Sequence, residues 1–188
     1  MGYYDERELR KFGFRSVGKY VKISDKASIY DAGDIEIGDN SRIDDFCIIS
    51  GKVVIGSHSH ITPMCLIAGG TPGVFLSDFC TLSYGVLIFS QTDDYSGQTM
   101  VNSMIPKRFK NETMQPVHVG RQTIFGARSV VMPGVNVAEG CSIGACSLVN
   151  ESTSPWGMYY GQPARRVRER KKGLLLMERE FLASLDNE

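Results

Sequence analysis

Aliphatic residues, with Phe125 once in their place, recur along this chain every six positions, commonly with a small residue four places on. Ile37, Ile43, Ile49 and Ile55 form one series, continued by Ile61 and Ile67. Leu76, Leu82 and Ile88 form the next, and Val119, Phe125, Val131, Val137, Ile143 and Val149 the last. Gly, Asp or Ser usually comes directly after, as in Ile37-Gly-Asp-Asn-Ser and Phe125-Gly-Ala-Arg-Ser. Three such units make 18 residues, the spacing from Ile37 to Ile55 and again from Val119 to Val137. Ile55 to Leu76 is 21, the extra three falling in the turn-forming cluster Gly69-Gly-Thr-Pro-Gly73. A helix repeats at 3.6 and an alternating strand at 2, so neither explains a six-residue period. The pattern predicts a three-sided parallel β-solenoid, an all-β fold. Each hexad is a short strand plus a corner, and coils stack about 4.8 Å apart. One coil cannot bury its own apolar face, so coils stabilise one another only as a stack. A β-sandwich would need longer strands and irregular turn spacing.

Three stretches break the period. Residues 1–20 carry a short amphipathic piece with Leu9, Phe12 and Phe14, read as a cap on the first coil of a solenoid spanning 21–162. Residues 91–116 form a polar excursion, and a loop of that length inside a compact domain is usually functional. Residues 163–188 read as a basic segment and helix, with Leu174, Met177, Phe181 and Leu185 on one packing face.

Composition narrows the partners. Of 188 residues, 21 are Lys or Arg and 21 are Asp or Glu, so net charge argues for neither nucleic acid nor membrane. The longest apolar runs, such as Gly85–Phe89, are far short of a membrane span. The polar start Met1–Glu8 does not suit a signal peptide, so the expected location is the cytoplasm. Five Cys is an odd count that points to reduced thiols. Cys47, Cys65, Cys80 and Cys141 fall on the small interior position of their hexads, where Cys acts as a small hydrophobe.

The run Thr123–Val149 followed by Tyr160-Gly-Gln-Pro-Ala-Arg165 resembles the hexapeptide-repeat acyltransferase family, in its sugar O-/N-acetyltransferase branch. The resemblance spans about residues 20–172. It implies a left-handed parallel β-helix and acetyl-CoA as acyl donor, with no metal. It also implies a homotrimer whose active sites lie between subunits. The acceptor would be a hydroxyl or amino group of a sugar or nucleotide-sugar, in surface polysaccharide (O-antigen or capsule) biosynthesis. Carried over from the family's motifs, Ala127 and Ala145 match the corners that hold the pantetheine arm, and Arg165 and Arg168 match the phosphate-binding residues. Six of the eight residues from Arg165 to Lys172 are basic in a neutral chain. At the start of a helix such charge would oppose the macrodipole, which favours a phosphate clamp over a merely solvated run.

The base is less plainly written. That branch carries a His in the loop leaving the solenoid, whereas Phe89-Ser-Gln-Thr-Asp93-Asp94-Tyr-Ser-Gly97 has none. His60 ends a hexad in a column with Arg42 and Thr81 and suits proton removal near neutral pH. Asp93 or Asp94 is the other candidate, as base or as orienter of His60. His58 and His118 read as surface residues. Lys107, Arg108 and Lys110 suit an acceptor diphosphate or a solvated loop equally. A metal-dependent relative resembling γ-type carbonic anhydrase needs three His from two chains, a pattern that His58, His60 and His118 do not make. A non-catalytic solenoid serving as a scaffold or partner-binding subunit is the remaining alternative. The missing loop His leaves it open, and the basic run argues against it.

Overall fold

The computed structural model describes residues 2–185. The predicted solenoid is there, as a prism with three faces of short parallel strands. The first face stacks Ser16–Val17, Ile35–Ile37, the end of Ile48–Ile55, the end of Leu66–Leu76, Val117–Val119 and Asn136–Val137. The second stacks Lys22–Ile23, Arg42–Ile43, His60–Ile61, Thr81–Leu82, Ile124–Phe125, Ser142–Ile143 and Gly157–Tyr160. The third stacks Ser28–Ile29, the starts of the two long strands, Leu87–Phe89, Val130–Val131 and Leu148–Val149. In each rung one residue points in and its neighbour out. Ile23, Ile43, Ile61, Leu82, Phe125 and Ile143 form one fully buried interior column. Four thiols share that interior while Cys146 is exposed. Burial pushes the Cys80 thiol up to about 12, which suits a filler and not a nucleophile.

The Gly69–Gly73 insertion is not a turn between strands. It lies inside the continuous strand Leu66–Leu76, which bends around the corner beside Ile48–Ile55 with a register shift at Gly51. Gly51 sits at φ +70° opposite Gly70, and a Cβ there would strike the Gly70 backbone. Elsewhere the corners turn through one left-handed residue per coil. Tyr20, Asn40, His58, Phe79, Gln122 and Trp156 do so between the first and second faces. Phe46, Met64, Arg128 and Cys146 do so between the second and third.

Both ends are covered. Helix α1 (Glu6–Lys11) starts with a reciprocal capping box between Asp5 and Glu8 and buries Leu9 on the first coil. At the other end the expectation of helix from residue 163 needs correcting. Arg165–Glu169 is a strand, antiparallel to Gly157–Tyr160, and helix α2 begins at Leu174 and runs to Leu185. The basic run therefore extends the second face instead of opposing a helix dipole. The packing stripe of α2 is also rotated from the expected one. Leu174, Leu175, Glu178 and Leu182 are half-buried, whereas Met177 and Leu185 face outward. Glu178 sets that rotation by accepting hydrogen bonds from Arg121 and Gln122, and Phe181 meets the His58 ring edge-on at 5.3 Å.

Candidate active site

Two edges of the third face carry the residues with chemistry. One is the corner between the second and third faces. There backbone hydrogen bonds stack Asp44, Thr62, Ser83, Gly126 and Gly144, each N–H donating to the coil above. The next position along this edge holds Tyr84, Ala127 and Ala145. Ala127 and Ala145 are successive steps, with Cys146 N–H donating to Ala127 O at 2.8 Å. A Cβ on Gly126 would collide with the Ala145 backbone, so glycine is required at this step of the edge.

His60 lies beside that edge, in register with Arg42 and Thr81 as its spacing predicts. Its ring is half exposed, and Nε2 lies 2.8 Å from Asp44 Oδ2. Asp44 is buried and its other oxygen accepts Arg42 Nε–H at 2.6 Å. The carboxylate that orients His60 within the chain is thus Asp44. Sixteen residues of separation hide that pairing until the coils stack. His58 is half-buried between Phe79 and Phe181 rather than at the surface, and exposed His118 stacks on Phe75.

The other edge of the third face carries the long loop. It leaves after Phe89 and is pinched at its base by the antiparallel pair Gln91–Thr92 and Thr113–Met114. Within it the adjacent carboxylates separate in role. Asp94 accepts from Ser96 N–H at 2.8 Å, Thr99 N–H at 3.2 Å and Thr99 Oγ1–H at 2.9 Å. Those bonds from Ser96 and Thr99 hold its carboxyl down at about 2, so Asp94 builds the loop and makes a poor base. Asp93 gives only Oδ2 to the fold, accepting Asn102 N–H at 3.3 Å. Its Oδ1 is buried with no hydrogen-bond partner, 3.8 Å from Lys110 Nζ. That oxygen faces the Lys110 charge, while the Asp93 side chain as a whole is 38% exposed.

Beyond the last coil, Arg165 lies opposite Tyr160 and Arg168 opposite Met158. Three residues apart would put them on opposite sides of a regular strand, but the register shift at Met158/Tyr159 sets both against outward-facing partners. Both are exposed; Arg165 meets Glu151 at 3.3 Å and Arg168 Nε–H donates to Met158 Sδ at 3.1 Å. Arg170 turns inward and donates to Gln122 O at 2.6 Å and Gly140 O at 3.1 Å, with burial lowering its guanidinium below the usual range. Among the described residues no cluster of three His, Cys, Asp or Glu forms a metal site, and no helix is long and apolar enough to cross a membrane.

The description "Bacterial transferase hexapeptide (six repeats)" matches residues 34–69. The dTDP-4-amino-4,6-dideoxy-D-glucose acyltransferase of Escherichia coli is 41% identical over 186 residues, covering 98% of this chain and 97% of its own. The chain belongs to the hexapeptide-repeat acyltransferase family. This acyltransferase also superposes on AntD, an N-acyltransferase from Bacillus cereus solved with dTDP and 3-hydroxybutyryl-CoA. The TM-score is 0.96 at 44% identity, covering 98% of each chain. A serine variant of AntD holds dTDP-4-amino-4,6-dideoxyglucose and coenzyme A, with a TM-score of 0.96 at 44% identity over 97% of this chain and 98% of AntD. Other AntD variants are altered at an aspartate ten residues beyond that serine. In this chain Ser83, an ordinary corner residue by the hexad pattern, stands ten residues before Asp93.

Proposed function

We propose that the enzyme transfers an acyl group from CoA to the amino group of a dTDP-linked amino-deoxy sugar, in sites shared between the subunits of a homotrimer. The observation that carries this is the half-exposed Asp93 carboxylate, whose Oδ1 has no hydrogen-bond partner in the chain. Ser83 and Asp93 repeat the serine and aspartate spacing of AntD, which binds such a sugar beside CoA. Within one chain these two residues stand on opposite edges of the third face. After Ser28 on the first coil, the outward residues of that face, Ile48, Leu66, Leu87, Val130 and Leu148, form an aliphatic column. The corresponding column of the second face begins Lys22, Arg42, His60 and Thr81. An aliphatic ladder of this kind suits burial against another copy. Three copies packed about an axis through their third faces bring the Asp93 loop of one against the Ser83 corner of the next.

In this reading the pantetheine arm runs along the Ala127 and Ala145 edge, and Arg165 and Arg168 meet the CoA phosphates. The acceptor nitrogen donates to the Asp93 carboxylate and attacks the thioester carbonyl. As the new C–N bond forms, nitrogen becomes cationic, and the fixed carboxylate stabilises that charge. The C–S bond then breaks, the nitrogen gives up its proton, and the thiolate leaves as CoA thiol. The product, an N-acylated nucleotide sugar, suits a glycosyl transfer that builds surface polysaccharide. A second reading is favoured by the His60–Asp44 bond. With Nε2 engaged there, Nδ1 is the nitrogen left to accept the proton.

The test is turnover of dTDP-4-amino-4,6-dideoxyglucose with acetyl-CoA and with 3-hydroxybutyryl-CoA, followed by product mass. Acylation of this sugar but not of dTDP-glucose supports an amine acceptor. Asp93→Asn should lower kcat about 100-fold and His60→Asn far less; the reverse ranking would move the proton to His60. No turnover with either donor would sink the proposal.

A further inference from the structure

The long loop buries an ammonium group. The Lys110 side chain is only 5% exposed, with Nζ 2.9 Å from Glu112 Oε1 and 3.8 Å from Asp93 Oδ1. A buried cation is costly unless paired, and a loop needing only solubility would leave this lysine in water. The two distances differ in a way that matters. At 2.9 Å Glu112 accepts a hydrogen bond, whereas at 3.8 Å Lys110 attracts Asp93 without occupying its oxygen. The charged groups gathered around Asp93 are Lys110, Glu112 behind it, and Asp94, which is turned toward Ser96 and Thr99.

We propose that Lys110 is a positioning residue: anchored by Glu112, it faces the buried Oδ1 and so holds the half-exposed Asp93 carboxylate in the orientation that meets the acceptor nitrogen. The proposal rests on the assignment of Asp93 above. It explains why the loop places three charges together, with Lys110 between Glu112 and Asp93. Glu112 carries the balance of charge, so Lys110 is not drawn onto Asp93.

A double-mutant cycle tests it. The kcat for dTDP-4-amino-4,6-dideoxyglucose is measured in the wild type, Lys110→Met, Asp93→Asn and the double variant, with dTDP affinity measured by calorimetry in each. Lys110→Met should lower kcat about tenfold in the wild-type background and less than twofold when Asp93 is already Asn, with dTDP affinity unchanged. An equal loss in both backgrounds, or weakened dTDP binding, would show that Lys110 only builds the loop and would overturn the proposal. Full activity in Asp93→Asn would instead remove Asp93 from the site, a failure visible without the lysine variant. If the methionine variant loses its loop, Lys110→Gln, which can still donate to Glu112, is read through the same cycle.

Discussion

Two corners of the same prism turn the chain by the same device, a left-handed residue once per coil, yet they meet opposite fates. Along the corner between the first and second faces, His58, Phe79 and Gln122 lie under helix α2. Along the corner between the second and third faces, Phe46, Met64 and Tyr84 are 58, 64 and 64% exposed. The backbone does not distinguish them. What differs is the cover: one corner receives helix α2 of the chain itself, and the other is left bare. In a solenoid, then, function is assigned by what lies over an edge.

The comparison breaks most completely if the bare side loses its partner. Leu87→Asp puts a charge in the middle of the aliphatic column of the third face. It should convert trimer to monomer and abolish turnover, with light scattering and activity measured on the same sample. A monomer retaining full activity would show that the site is complete in one chain. A smaller effect is expected at the top of the bare edge. Arg165→Ala with Arg168→Ala should raise KM for acetyl-CoA about tenfold and leave kcat nearly unchanged, the signature of lost ground-state binding. A fall in kcat alone would place the phosphates elsewhere. The smallest catalytic effect belongs to the covered edge. Phe181→Ala should leave kcat/KM within about twofold while costing about 1 kcal/mol of stability, because Phe181 is only partly buried. Loss of activity there would mean that α2 does more than cover a corner.

How much of this was legible in the chain follows from what each residue's role depends on. The solenoid is written in the period, since every hexad obeys one rule and the stack only repeats it. Register was equally open: the column of Arg42, His60 and Thr81 follows from counting 18 and 21. The two loop carboxylates were visible as a pair, but their division of labour was not. It is decided by Ser96 and Thr99, whose donors fold back onto Asp94 and pass over Asp93. The C-terminal stripe misled because Glu178 counts as polar in any periodicity argument, yet it anchors the helix through Arg121 and Gln122. The Asp44–His60 pair escaped because it joins different coils and different columns, which no linear spacing displays.

The long loop leaves and returns through one pinched neck, Gln91–Thr92 against Thr113–Met114. Below and above it the rungs stay in step, with Leu87 over Leu66 and under Val130. Its contents can therefore be rewritten without disturbing a single coil. For selection, and for an engineer, the stretch between Asp93 and Lys110 is a cassette whose length and tip can change while the corner that carries Ala127 and Ala145 stays as it is.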